Sequence, residues 1–236
     1  KVPAASGGVP EAPSYQFYVY VLEANLCFHN GMVIPLMSEF LDYKQGDSEQ
    51  SKQDCEQKAF HRLAERIKKS FPNLPVLLLL DGLYPTWPVM KRCRDYKWDY
   101  MVVLQGGSLP AVWEEFQGLR RLLPNQEFRQ DCGKRTQSFR WANDIRYEYG
   151  PNARHHLDLH VVVCQEQWKD VDEKTGDIVT KTGTHTWISS RKLNRDNLHQ
   201  RCNLGARHRW GTEICNLVEK HQGYQYEHTF AQNWNA

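Results

Sequence analysis

The chain has 236 residues, of which 40% are hydrophobic and 12% aromatic, enough for one large domain with a substantial core. Its formal charge is +2 and its mean hydropathy −0.70, and no apolar run approaches the ~20 residues that a membrane span requires. The seven cysteines are odd in number and scattered, with no Cys-x-x-Cys pair, which argues against a disulfide framework and a structural zinc site. Cys27, Cys164 and Cys215 sit among apolar residues and read as buried thiols, so a reducing cytoplasm is the expected compartment. The stretch Lys1 to Pro13 is rich in Pro, Ala and Gly and has no secretory-signal pattern.

In chain order, residues 1–14 read as a disordered lead-in. Tyr15 to Phe28 alternates and is rich in Tyr, Val and Phe, which predicts a strand. His29-Asn30-Gly31 supplies a hairpin turn, because Asn-Gly tolerates the positive φ such turns need, and Met32 to Leu36 returns as the partner strand. Asp42 to Lys52 is polar and loop-like. From Asp54 to Ser70 an apolar stripe of Phe60, Leu63, Ala64, Ile67 and, just beyond, Phe71 marks a helix ended by Pro72. Val76 to Leu80 is apolar throughout, the pattern of a central strand in a parallel or mixed sheet. Thr86 and Pro88 start a helix running to about Lys97. Tyr100 to Leu104 is a second buried strand, and Ser108 opens a short helix through Phe116.

The second half changes character. Arg120 to Arg140 reads as a basic loop, and Phe139–Tyr149, Leu157–Cys164 and Ile178–Ser189 read as antiparallel strands, with a turn at Lys174-Thr-Gly176. A β-rich block over 119–190 is thus expected to separate an α/β portion, 15–118, from a final helix starting near His208 within 191–236.

Chemistry concentrates in Arg209-Trp-Gly-Thr-Glu213-Ile-Cys-Asn-Leu-Val-Glu-Lys220. At about 100° per helical residue, spacings of four and seven put Arg209, Glu213 and Lys220 on one face, with Ile214, Leu217 and Val218 opposite. Arg191 to His221 holds seven Lys/Arg against three acids, net +4, with three histidines, which suits a phosphate-binding surface. Lys192, Arg195 and Arg207 are candidate nonspecific phosphate contacts. Asp81 ends the buried run, where acids face the crevice of open α/β sheets; capping its own Asp81-Gly82 turn explains it equally well. Glu213 has a parallel alternative in ordinary surface ion pairs. Together, Asp81 and Glu213 are the oxygen donors that Mg²⁺ prefers, in a site where two ions would activate water and stabilise a leaving oxygen.

Other residues carry less. Trp141, Trp187 and Trp210 suit base stacking or, more commonly, packing, with Trp141 the best stacking candidate because basic residues precede it. His155, His156 and His160 complete no zinc pattern, and Ser189-Ser190 lacks a nucleophile-elbow context.

At these residues the chain resembles a DDE transposase of bacterial insertion sequences, in the branch marked by Tyr-x2-Arg-x3-Glu-x6-Lys. Arg209, Glu213 and Lys220 match that spacing, whereas the Tyr position holds Ala206. Lys52-Gln-Asp-Cys-Glu56, Leu80-Asp81-Gly82, His185-Thr-Trp-Ile-Ser-Ser190 and Gly223-Tyr-Gln-Tyr-Glu-His228 agree with the family's look, so the likeness spans most of Tyr15 to Ala236. The resemblance implies a ribonuclease H-like mixed sheet flanked by helices, with a β-rich insertion before the last catalytic helix. It implies Asp81 and Glu213 as second and third catalytic acids and metal ligands, and Arg209 and Lys220 as DNA contacts. It further implies Mg²⁺ or Mn²⁺, two ions in the complete site, double-stranded DNA as substrate, and a homodimer acting at the nucleoid. In that family the first acid lies on a strand preceding the hairpin. Here Lys1 to Ser14 offers only Glu11, and Glu23 in the hairpin is the nearest substitute, so the expectation is a chain lacking its first strand and first acid. A DNA-binding remnant without catalysis is the alternative.

Overall fold

The computed structural model describes residues 20–41 and 49–213, with side chains within the first helix described from 56 onward. Strands β1 (Tyr20–Cys27) and β2 (Val33–Leu41) form an antiparallel hairpin. Its turn is the one the sequence predicts: Gly31 takes φ +85° and Asn30 Oδ1 accepts from Met32 N at 3.0 Å. β2 runs beyond Leu36, and helix α1 (Glu49–Ser70) begins earlier than Asp54. The stripe of Phe60, Leu63, Ala64 and Ile67 is buried as expected, while Phe71 falls past the helix end and is exposed. Arg62 and Arg66 of α1 both grip Glu39 of β2, at 2.5 and 2.8 Å, fastening helix to hairpin.

Next come β3 (Leu77–Leu80), α2 (Trp87–Asp95) and β4 (Asp99–Val103). The two strands are parallel, with Leu80 opposite Val102, and α2 crosses between them. Pro88 in the first turn of α2 sets its start; Thr86 stands at the N-cap, but its hydroxyl makes no capping bond.

Helix α3 (Pro110–Leu122) leads into β5 (Glu127–Cys132), β6 (Arg135–Tyr149), β7 (His155–Val171) and β8 (Ile178–Ser189), all antiparallel neighbours. The stretch read as a basic loop over 120–140 is therefore the end of a helix and a strand pair. Within the strand pair Glu127 answers Arg140 at 2.8 Å and Arg129 at 3.4 Å. Nor is 119–190 a separate sheet. β8 pairs antiparallel with β4, Val102 opposite Ile188, and one mixed sheet of order β3-β4-β8-β7-β6-β5 results. Among the described residues β3 is an edge strand of that sheet rather than a central one. Its leucines are covered on their faces, and Leu77 is 39% exposed.

Because side chains alternate along a strand, each central strand feeds two cores. Val102, Val161 and Ile188 face α1, α2 and α3 and pack with Phe60, Ile67, Met90 and Phe116. Met101, Val162 and Trp187 face the other way, with Phe139, Trp141 and Cys164. There they are covered by Leu193, by α4 (Arg195–Leu198) and by the short helical turns His199–Asn203 and Ala206–His208. Trp141 and Trp187 are thus core residues. This α/β architecture, a six-stranded mixed sheet flanked by helices, is compatible with a ribonuclease H-like fold.

Phe116 is fully buried between α3 and the sheet, whereas Leu122 at the end of the same helix is 74% exposed. Phe116→Ala is expected to lower unfolding free energy by about 3–5 kcal/mol and Leu122→Ala by no more than about 0.5 kcal/mol, read from urea denaturation.

Candidate functional site

The parallel pair β3–β4 ends in two loops on the same side, the position where open α/β sheets form their crevice. Asp81 follows β3 directly. Its Oδ1 accepts from Leu83 N at 2.9 Å and its carbonyl from Tyr84 N at 3.3 Å, so the residue does cap its own turn. Capping does not remove it from the crevice, because the carboxylate also lines the open cleft. Gly82 lies under the exposed Gln105 side chain of the loop after β4: a Cβ there would fall 2.5 Å from Gln105 Cγ and displace that side chain. That loop is fixed by Gln105 O, which accepts from Ser108 N at 3.0 Å and Trp113 Nε1 at 3.1 Å.

The opposite wall comes from the far end of the sequence. A bulge in β6 between Ala142 and Ile145, with Asp144 at φ 60°, turns Asn143 toward the incoming chain. Asn143 donates to Leu193 O at 2.9 Å and accepts from Leu193 N at 2.8 Å. Asn194 then caps α4 in a reciprocal box with Asn197. Buried Arg201 ties the following turn to the sheet, donating to Ser189 Oγ at 2.9 Å and Tyr100 O at 3.2 Å. Gly205 packs so closely that a Cβ would lie 2.5 Å from Arg201 O. After the Ala206–His208 turn the last helix, α5, begins at 209 and is described to 213. It meets the hairpin: Thr212 Oγ1 lies 3.8 Å from Cys27 Sγ, and the His208 and His29 rings are 5.5 Å apart.

The outcome is a cleft of about 640 Å³ whose polar walls are Gln57, Asp81, Gln105, Ser108, Arg209 and Glu213. Arg209 Nη1 donates to Glu213 Oε1 at 2.5 Å, as the helical spacing of four allows. The glutamate side chain is 48% exposed and the arginine 17%. The guanidinium also lies over the exposed Trp210 ring at 5.2 Å, and its buried Nε has no hydrogen-bond partner. Burial, assisted by the charge of Asp81, pushes the Glu56 carboxyl above its ordinary range, so Glu56 of α1 lies within the field of the cleft acids.

Asp81, Arg209 and Glu213 therefore line one cleft. Lys220 lies outside the described residues, as does Cys215. Lys192 instead pairs with Asp144 at 2.7 Å, and Arg195 stands exposed at the start of α4. Arg207 is engaged by the buried carboxylate of Glu166, on which Gln137 Nε2 and Arg135 Nη1 also donate, at 2.6 and 2.8 Å. Glu23 is exposed on β1, opposite Ser38 in the hairpin, and is no part of the cleft wall. His155 stacks on Trp87, His160 Nδ1 accepts from Asp144 N at 3.1 Å, and Ser189 Oγ donates to Arg191 O at 2.7 Å, which are structural roles. Sequence reasoning missed Gln57, Gln105 and Ser108. The available signal was the Gln105-Gly-Gly-Ser108 loop directly after a buried strand parallel to the one that ends at Asp81. Among the described residues no three His, Cys, Asp or Glu side chains are grouped to hold a metal ion. A scan against models of known protein families and a search of curated proteins both find no match.

Two outcomes are expected. Arg209→Met should lower unfolding free energy by no more than about 1 kcal/mol, because its i,i+4 partner Glu213 is half exposed and the pair is screened by solvent; denaturant titration measures it. Burial pushes the Glu166 carboxyl up, but the hydrogen bonds from Arg207, Gln137 and Arg135 outweigh this and hold it at about 2, below its ordinary 4.5. The stability it contributes is complete above about 4.5 and is lost as pH falls through about 2. The stability gap between the native chain and Glu166→Gln should therefore shrink as urea denaturation is repeated from pH 6 down to pH 3, roughly following that titration.

Proposed function

We propose that the chain is the catalytic part of a DNA transposase, carrying out metal-dependent phosphodiester hydrolysis and strand transfer. One observation carries the reading. Asp81 and Glu213, far apart in sequence, line one cleft at the carboxyl ends of two parallel strands, with the Arg209 guanidinium beside Glu213. In donor type they suit Mg²⁺ or Mn²⁺, which take carboxylate oxygens, and such ions, when bound, lower the pKa of an attacking water and neutralise a leaving oxygen.

The chain's own residues have distinct tasks in this reading. Asp81, held by its turn, and Glu213, held by Arg209, are the carboxylates that would take such an ion. Arg209, which lines the cleft and holds Glu213 through Nη1, would donate to a phosphate oxygen placed there. Gln57, Gln105 and Ser108 supply neutral hydrogen-bonding groups along the cleft for the sugar–phosphate backbone. Arg195 and Lys220 belong to the same reading as outer phosphate contacts, whereas Lys192 is paired with Asp144 and Arg207 is held by Glu166. Double-stranded DNA as partner, a homodimer holding two ends, and a cytoplasmic, nucleoid-associated location belong to it as well.

Among the described residues, β1 and β3 each pair on one edge only, and Leu22 and Ala24 of β1 pack on the same core as Leu78 and Leu80 of β3. A second reading, DNA binding without catalysis, is favoured by the Arg209–Glu213 pair, which occupies one candidate ligand with a counter-ion.

Supercoiled-plasmid nicking in Mn²⁺ tests the choice. Asp81→Asn and Glu213→Gln should each reduce nicking by roughly 10³-fold or more while DNA retention in a gel shift persists. Nicking undiminished in either variant overturns the proposal. DNA retention by a native chain that never nicks selects the second reading.

A further inference from the structure

We infer that Glu166 is a positioning residue: an anion buried in the sheet that, by holding Arg207, fixes where the helix bearing Arg209 and Glu213 leaves the fold. The inference rests on the proposed function only for what Glu213 then does.

Glu166 lies on β7 with its side chain 0% exposed. Oε1 accepts from Gln137 Nε2 at 2.6 Å and from Arg207 Nη2. Oε2 accepts from Arg135 Nη1 at 2.8 Å and stands 3.6 Å from His185 Nε2. Burial and then the neighbouring Arg207 push the His185 pKa down, so at neutral pH the two guanidinium groups are the cations that answer the carboxylate. Arg135 on β6, itself lying over Trp168 at 4.3 Å, already offers the sheet a counter-ion. Gln137 and Arg135 are neighbours within the sheet. Arg207 arrives from the layer above, 41 residues further along the chain.

The contact is built for direction as well as for charge. Arg207 Nε donates to Asn203 Oδ1 at 3.0 Å, and Asn203 Nδ2 donates to Gln137 Oε1 at 2.8 Å. Gln137 Nε2 returns a bond to Asn203 Oδ1 at 3.0 Å, and Gln130 Nε2 donates to Gln137 Oε1 at 2.9 Å. A guanidinium held at two of its nitrogens has no rotational freedom left, so the backbone at 207 is set relative to the sheet. The chain there has just turned at Gly205, against Arg201 O, and α5 starts two residues later. A helix is a rigid extension of its first turn. A shift at Arg207 therefore moves Arg209 and Glu213 across the cleft, away from Asp81, which belongs to another part of the sheet. The opposite clamp on that helix is the hairpin, where Thr212 faces Cys27.

That last contact supplies a readout independent of catalysis. In the full chain, Thr212→Cys places a thiol beside Cys27, and mild oxidation should join the two, assigned by peptide mapping because other thiols are present. Adding Glu166→Gln should slow this joining by about tenfold or more, since thiol reaction depends steeply on placement. Adding Arg207→Met instead should do the same. That second variant leaves Glu166 with Arg135 and Gln137, so it tests the link without orphaning the buried charge. Phe116→Ala, which loosens the opposite core, should change the rate by less than about twofold. Unaltered joining in both variants overturns the inference, as does equal slowing by Phe116→Ala. Slowed joining in a chain that never nicks DNA removes the proposed function and leaves Glu166 as the helix anchor. Unaltered joining in a chain that does nick removes the anchor and leaves the function.

Discussion

The pairing of β8 with β4 is the contact on which the rest of the molecule depends. It spans only Met101–Val103 against Trp187–Ser189, yet it converts an α/β unit and a long antiparallel block into one sheet. Each of these residues serves a core: Val102 and Ile188 face α1–α3, and Met101 and Trp187 face the turns that follow Ser189. The pairing also brings the chain out beside Asp99 and Tyr100 at the amino end of β4, from where the segment after Ser189 crosses the sheet to reach the cleft at its carboxyl end. Without that crossing, Arg209 and Glu213 would have no route to Asp81. The site is thus a consequence of sheet closure rather than of any local motif.

Charge placement follows the same logic. Isolated ionised groups are costly to bury, and this fold buries few of them without an answer. Glu166 is surrounded by Arg207, Arg135, Gln137 and His185, and Arg201 is satisfied by Ser189, Ser190 and the Tyr100 carbonyl. The cleft departs from this habit. Asp81 spends one oxygen on its turn, Glu213 remains half exposed beside Arg209, and the Arg209 Nε is left without a partner. Ionisable groups left partly unpaired in a concave surface suit a place that meets a ligand.

The basic segment from Arg191 to His221 looks different once folded. Its net charge of +4 suggests a uniform phosphate-binding face. In the structure Lys192 answers Asp144, Arg191 answers Asp99, Arg201 is buried, and Arg207 answers Glu166. Much of the excess is consumed internally, by acids the sequence supplies from strands far upstream. What remains near the cleft is Arg209, and its role is divided between Glu213 and whatever the cleft receives.

The elements themselves were legible wherever a short-range signal existed. Asn30-Gly31 announced its hairpin turn, the Phe60–Ile67 stripe its helix, and the apolar runs ending at Leu80 and Val103 their strands, because turn chemistry and side-chain periodicity are local properties. Asp81 was legible as an acid at a strand end and Arg209–Glu213 as a helical pair. Illegible were the edge position of β3 and the fusion of the β-rich block with the core sheet. Each depends on which strand edge finds which partner, and a strand's sequence specifies its faces far better than its neighbours. The sequence alone determined the residue types and the faces they occupy. Tertiary structure alone decided that Asp81, Gln105, Arg209 and Glu213 share a cleft and that Glu166 claims Arg207, because proximity between distant residues is created only when the sheet closes.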